Sequence, residues 1–293
     1  KGAGHRRLKI GFVMDPMEKL HYRYDTSLTI MTEAQGRGHL LYYLEPKDLF
    51  YSKDSLYGHA RQIKVTDKRR LHTIARQTLD LKTLDIVFNR KDPPFDISYL
   101  YLTQMLEFLE PKVFVINSPR GVQKANEKLY ILNWQQWIPP TLVTQRPEEI
   151  KHFQKKLGAD LILKPLDQKG GKGIRLLPRT RLGGRILKQI TQNGRRWVMA
   201  QKFIKRGMTQ GDKRILLLNG KAIGQFTRLP RGGEFRANLS LGATAKPAGL
   251  TEKERRLIGE LRPKLLRDGL YFVGIDVIDG LLIEINVTSP AGI

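Results

Sequence analysis

The sequence predicts an α/β chain that opens with a parallel sheet covered by helices on both faces and continues into smaller α+β units. Three observations carry this. Apolar runs of strand length recur at 8–14 (LKIGFVM), 40–44 (LLYYL), 84–89 (LDIVFN) and 113–116 (VFVI), with a helical pattern between the first two. Strand and helix alternating at that spacing favour parallel pairing. Beyond residue 140 the order changes to strand, helix, strand and hairpin, and 293 residues exceed what one core ordinarily serves.

In order along the chain, the strand at 8–14 ends in Asp15-Pro16, where the proline disfavours helix and forces a loop. Asp25 to Arg37 has a polar start, apolar Leu28, Met31 and Ala34, and a closing Gly38, which together predict a helix. Ligands of parallel sheets gather at the carboxyl ends of strands, so the loops at 14–16 (MDP) and 89–96 (NRKDPPFD) are candidate ligand loops, the second reading equally well as a polar turn. Pro119 through Ile138 reads as a short helix carrying Asn126-Glu127-Lys128, then a hinge of Trp134, Trp137 and Pro139-Pro140. A strand at 141–144, a helix from Pro147 to Leu157 with proline in its first turn, and a strand at 159–166 follow. Another strand spans 196–204, and Asn219-Gly220 marks a hairpin between 213–218 and 221–229. The glycine-rich stretch 230–249 is long enough to be a lid. Thr251 and Glu254 form a capping box for a helix to about Arg267, which Pro263 would kink or stop.

Composition narrows the function classes. There is no cysteine, which excludes disulfides, thiolate metal sites and a cysteine nucleophile, and is compatible with a cytoplasmic location. No run of eighteen apolar residues and no signal-type leader is present, so no membrane association is expected. Lys+Arg of 52 against Asp+Glu of 28 gives a net charge of +24. These charges fall in short groups without a reader motif, so specific nucleic-acid binding is not expected.

Two stretches point to chemistry. In 271–287 (YFVGIDVIDGLLIEINV), Asp276, Glu284 and Asn286 interrupt an apolar alternation. Taking Val273, Ile275, Val277, Leu281, Ile283, Ile285 and Val287 as one buried face places the three oxygen-bearing side chains on the other. A three-residue loop of Ile278, Asp279 and Gly280 brings them together by pairing Asp276 with Leu282, whereas a two-residue loop would pair Ile278 with Leu281 and put Asp276 on the opposite face from Glu284. Three oxygen donors without histidine or cysteine suit a hard cation, and Mg²⁺ completes its shell with substrate phosphates; a solvated strand face is the competing reading. The second stretch, 167–173 (DQKGGKG), offers Gly170, Gly171 and Gly173 for close backbone approach to phosphate, with Lys164, Lys169 and Lys172 adding charge. It reads equally well as a glycine-rich hairpin turn.

Eight blocks in order then carry a resemblance: VMDP (13–16), RKDPPFD (90–96), NEKL (126–129), LILKPLD (161–167), MAQ (199–201), GDKR (211–214), LPRGGEFRANL (229–239), and GIDVI with EINVTSP (274–290). Over essentially its whole length the chain resembles the bacterial glutathione synthetases of the ATP-grasp superfamily. The resemblance implies an ATP-grasp fold behind an N-terminal Rossmann-like domain, divided as 1–122, 123–203 and 204–293. It also implies ATP-dependent ligation of γ-glutamylcysteine to glycine through an acyl phosphate, with ATP and Mg²⁺ as cofactors. Carried over by position, Lys128, Lys164, Gly170 and Gly171 would meet the nucleotide and its phosphates, Gln201, Lys202, Phe203 and Ile204 would line the adenine hinge, and Asp212 would reach the ribose. Arg214, Arg228, Arg236 and Asn238 would hold phosphate and the acyl group, and Asp276, Glu284 and Asn286 would hold Mg²⁺. Arg90 and Asp92 would place the dipeptide, with Thr288 and Ser289 near the product's carboxylates. A homo-oligomer, often a tetramer, is implied as well. The family's glycine loop begins GxGG, whereas here Gln168 and Lys169 precede the glycine pair, which makes the phosphate cover more basic. The family also continues into a helical tail past the position of Ile293, implying a longer natural chain. Two alternatives share the pattern: a related ligase adding an amino acid to a peptide or protein, and a non-catalytic nucleotide- or nucleic-acid-binding module.

Overall fold

The computed structural model describes residues 6–20, 22, 25–168, 170–180, 183–230 and 242–292. Its strands form three sheets. The first holds β1 (Lys9–Val13), β2 (Leu40–Leu44), β3 (Leu49–Ser52), β4 (Ser55–Val65), β5 (Leu71–Asp80), β6 (Ile86–Asn89) and β7 (Phe114–Ile116). β2, β1, β6 and β7 run parallel, as the alternation predicts, while β4 lies antiparallel to β2, β3 and β5. The parallel strands expected are therefore extended at one edge by antiparallel β4, β3 and β5, which makes the sheet mixed. β5 hides itself in the sequence because its burial does not alternate: five consecutive residues, Ala75 to Leu79 with only Leu79 partly covered, follow exposed Ile74. Asp25 caps α1 (Thr26–Gly36) by accepting from Ser27 N and Leu28 N, and Asp96 caps α2 (Ile97–Glu107) by accepting from Tyr99 N. One core packs Phe12, Leu28, Met31 and Tyr43 on one side of the sheet, and another packs Val87, Val115, Leu102 and Leu106 on the other.

Helix α3 (Pro119–Lys124) is shorter than expected. Asn126 Oδ1 accepts from Lys128 N and Leu129 N, both at 3.1 Å, which gives the backbone a turn in place of helical bonds and leaves Asn126-Glu127-Lys128 outside the helix.

The second sheet is antiparallel throughout, in the order β10 (Arg175–Leu177), β9 (Leu161–Pro165), β11 (Val198–Lys202), β8 (Thr141–Thr144). Period-two alternation divides its faces. Leu161, Leu163, Val198 and Ala200 meet α4 (Pro147–Leu157) and α5 (Gly184–Ile190) through Ile150, Leu187 and Ile190, while Ile162, Lys164 and Gln201 face the opposite way.

The third sheet follows α6 (Arg206–Gln210) and has the order β14 (Thr244–Pro247), β13 (Lys221–Leu229), β12 (Asp212–Leu218), β15 (Phe272–Ile278), β16 (Leu281–Asn286), all antiparallel. Part of the expected lid is thus an edge strand, and 231–241, with Arg236 and Asn238, lie outside the described residues. The Thr251–Glu254 capping box starts α7 (Glu252–Arg267), and Pro263 does not end it. Leu257, Leu261 and Leu265 of α7 pack against Ile215, Val273 and Ile275. The third sheet joins the first through Asn117. Its Nδ2 donates to Phe272 O and Val287 O, at 2.7 and 2.8 Å, and its Oδ1 accepts from Phe272 N at 2.7 Å.

Candidate active site

Strands β15 and β16 meet in a two-residue turn, with Ile278 paired to Leu281 and with Asp279 and Gly280 both at positive φ. The three-residue loop expected from the alternation is therefore absent. The three oxygens still share a face, because a β-bulge follows the turn. Val277 pairs with Leu282, Ile283 is the extra residue, and Asp276 pairs directly with Glu284. Gly274 then pairs with Asn286, so Asp276, Glu284 and Asn286 point the same way. The bulge also corrects the buried face: Leu282, at 0% exposure, fills the core, whereas Leu281 and Ile283 are only partly covered.

Buried arginines surround Asp276. Arg214 Nε and Nη2 donate to its Oδ1 and Oδ2 at 2.5 and 3.0 Å, from the directly paired position on β12. Arg228 of β13 makes a two-pronged bond to Asp212, 2.6 Å on each prong, and its Nη2 also lies 3.0 Å from Asp276 Oδ2. Burial alone would raise Asp276, but the two guanidiniums outweigh it and hold the carboxyl down at about 2. Burial and the neighbouring Asp276 charge push Asp212 up to about 6 against the pull of Arg228. Asn286 Nδ2 donates to Gly274 O and toward Asp276, which leaves its Oδ1 as the acceptor atom. Two carboxylates and an amide oxygen on one face of the paired strands β15 and β16 form a hard, all-oxygen donor set, which fits Mg²⁺.

Across from this floor, Lys164 of β9 donates to Gln201 Oε1 at 2.8 Å, and Gln201 donates to Thr141 Oγ1 at 3.0 Å. Burial lowers Lys164 to about 8, with Glu284 opposing the shift. Lys128 donates to Gln168 O at 2.6 Å and lies 3.4 Å from Glu284 Oε1. Between the second and third sheets opens a cleft. Its wall contains Lys128, Lys164, Gly170, Gly171, Gln201, Lys202, Phe203, Ile204, Asp212, Arg228, Asp276 and Glu284. Gly170 and Gly171 both have positive φ, which suits backbone turned toward a ligand.

The remaining expected residues lie elsewhere. Arg214 stands behind Asp276 and does not line the cleft. Thr288 lines a smaller neighbouring cavity with Pro93, Pro94 and Phe95, and Ser289 Oγ donates to Asp92 Oδ1 at 2.6 Å. Arg90 is buried, its Nε donating to Ser27 Oγ at 3.0 Å and its guanidinium 5.8 Å from the Phe272 ring centroid. Sequence reasoning gave Glu127 no role. The structure places it beside Lys128, accepting from Thr288 Oγ1 at 3.0 Å and, through its carbonyl, from Ile285 N. Burial, then Glu284, pushes its carboxyl up to about 7. Its place inside the NEKL block is the signal that could have found it. The apolar walls Ile162, Ile174, Ile278 and Ile283 gave no signal, since isoleucine in a strand reads as core.

A cleft between two antiparallel sheets, with lysines and glycines on one side and paired carboxylates on the other, is the site of an ATP-grasp ligase. Solved structures share the fold: D-cycloserine synthetase DcsG at TM-score 0.68 and 15% identity, covering 96% of this chain and 92% of that one. The macrocyclase MdnC bound with precursor peptide MdnA, from Microcystis aeruginosa MRC, matches at TM-score 0.62 and 16% identity, covering 97% and 92%. Family models narrow the class. "Prokaryotic glutathione synthetase, N-terminal domain" matches residues 8–123, and "Prokaryotic glutathione synthetase, ATP-grasp domain" matches 127–293. Glutathione synthetase of Synechocystis sp. is 40% identical, covering 98% of this chain and 93% of its own, and that of Escherichia coli K12 is 38% identical, covering 97% and 90%. The chain belongs to the prokaryotic glutathione synthetase family, ATP-dependent ligases that use Mg²⁺ and join γ-glutamylcysteine to glycine. The peptide- or protein-extending alternative fits less well, because the precursor-bound ligase PsnB and macrocyclase MdnC are similar only at the level of fold, at 18% and 16% identity.

Proposed function

We propose that the cleft carries out glutathione synthesis with the following division of labour. Lys128 and Lys164 bind the nucleotide's phosphates beneath Gly170 and Gly171. Gln201 to Ile204 hold the base, and Asp212 the ribose. Asp276, Glu284 and Asn286 would hold Mg²⁺, which would neutralise phosphate charge. Transfer of the γ-phosphoryl group to the dipeptide carboxylate gives an acyl phosphate, whose phosphate leaves when the glycine amine attacks; no protein nucleophile is needed. Arg228, with Arg236 and Asn238, accepts the charge spreading over the transferring group. Arg214 positions Asp276 instead of touching the phosphate, a change from the role implied by resemblance, because it stands behind Asp276 and outside the cleft wall that Arg228 joins. Asp92, held by Ser289, and Thr288 mark the dipeptide side, with Arg90 supporting them from below. The chain divides as 1–122, 123–203 and 204–293.

The observation that carries this is the direct pairing of Asp276 with Glu284, opposite Lys128 and Lys164 in one cleft. A coupled ADP-release assay tests it. ADP should appear at full rate only when Mg²⁺, γ-glutamylcysteine and glycine are all supplied, in step with glutathione. ADP release that ignores the dipeptide, or peptide formation unaffected by Glu284→Gln, overturns it.

A further inference from the structure

The charge that looks scattered along the sequence is concentrated in space. Residues 141–202, which contain the whole second sheet, carry 15 Lys and Arg against 4 Asp and Glu, a net +11 of the chain's +24. The four acids do little to screen the excess. Asp167 is paired with Arg196 at 2.6 Å and Asp160 lies 3.7 Å from Lys205, while Glu148 and Glu149 sit in the first turn of α4, facing the helix dipole. The face of the sheet toward the cleft spends Lys164 and Lys202 on the nucleotide site. The other face is covered by α4 and α5, and their outward surface holds exposed Lys151, Lys155, Lys156, Arg185 and Lys188, with Arg195 just beyond α5. None of these six makes an ion pair or side-chain hydrogen bond among the described residues. Lys151 and Lys155 stand one turn apart, about 6 Å along the helix, so both reach the same side.

We propose that the outer surface of α4 and α5 is a docking face for the phosphate backbone of nucleic acid, bound without regard to sequence and separate from the ligase cleft. Clustered cations without internal partners are what a phosphate backbone neutralises, releasing its counterions. Among the described residues no large hydrophobic side chain of α4 or α5 is exposed, and exposed Trp197 stands beyond them just before β11, so the two helices lack the apolar wedge of a membrane-surface helix. Lysine and arginine contacts to phosphate carry no sequence information, so recognition through this face rests on charge and shape.

The test is anisotropy of a labelled duplex of about 30 base pairs with the full chain, between about 50 and about 200 mM salt. Two variants with the same net charge are compared. One replaces the six cations named above with Gln; the other replaces Lys64, Lys68, Arg76, Lys112, Lys221 and Arg255, exposed cations on other elements, with Gln. The expected result is at least about tenfold weaker binding and a log–log salt slope shallower by about 3 or more for the first, and less than about threefold weakening for the second. Glutathione synthesis should persist in the first variant, which also reports that it folds. Lys151→Gln with Lys155→Gln alone should already flatten the slope by about 2. Equal losses in both six-site variants, no duplex binding at low salt, or binding to phosphatidylserine vesicles without binding to the duplex overturns the proposal.

Discussion

The third sheet contains two hairpins built from the same parts. In β12–β13 the turn is Asn219-Gly220 and a bulge leaves Ile223 as the extra residue; in β15–β16 the turn is Asp279-Gly280 and the extra residue is Ile283. All four turn residues have positive φ. The destinations differ. Ile223 is 48% exposed and outside the cleft wall, whereas Ile283 enters that wall and its insertion turns Glu284 to the face of Asp276. A bulge is thus neutral by itself, and acquires function from the polar residues on either side of it.

The largest effect should come from Asp276→Ala. It leaves Arg214 and Arg228 without the carboxylate that pairs them, so we expect loss of synthesis below detection and destabilisation of about 3–5 kcal/mol by urea unfolding. Ile223→Ala, at the matching bulge, should do neither; a comparable loss there would break the contrast. Acid should find the same difference. Asp276 has a folded value near 2 against an ordinary 3.8, so its contribution is present above about pH 4 and is lost as pH falls through 2. Unfolding across that window should show a loss of about 2 kcal/mol that Ile223→Ala retains and Asp276→Asn abolishes.

Smaller changes separate the turns. An added methyl at Gly220 would meet Arg262 Cγ at 2.4 Å, Cβ at 2.8 Å and Cα at 3.0 Å, while at Gly280 it would meet only Cδ, Cε and Nζ of the Lys253 side chain. Both positions have positive φ, so both substitutions strain the turn, but only Lys253 can swing away. Gly220→Ala should therefore lower stability by about 2 kcal/mol and Gly280→Ala by about 1 kcal/mol, measured by thermal unfolding. Last, Ile283→Ala should raise the KM for ATP by about 3- to 10-fold, roughly 1 kcal/mol of lost apolar contact, with glycine KM unchanged. Ile223→Ala should leave both constants alone.

The parts of the molecule that obey one local rule were legible in the sequence. β2, β8 and α4 have the bounds their apolar runs and caps indicate, and the Asn-Gly hairpin forms where the dipeptide demands positive φ. What escaped depends on two rules acting together. Alternation alone requires an odd loop to bring Asp276 and Glu284 to one face, and only a turn and a bulge in combination allow the two-residue loop that Asp279-Gly280 prefers. The hairpin β4–β5 escaped because β5 is polar and lacks a repeating face. In the site, charged and glycine residues announced themselves, but Glu127 required knowing that Thr288 and Ile285 return beside it from more than 150 residues away. The basicity was visible only as a total; its placement on one side of the second sheet depends on which way α4 and α5 are turned.

Asn117 has a mechanical consequence. Its single side chain grips the first residue of β15 and the backbone just after β16, so the strands bearing Asp276 and Glu284 are riveted to the first sheet at their open end. The second sheet has no such rivet among the described residues. A jaw with one fixed half is the expected behaviour: hydrogen exchange with and without ATP should change in the second sheet and leave β15 and β16 as they were, and equal changes in both would count against it.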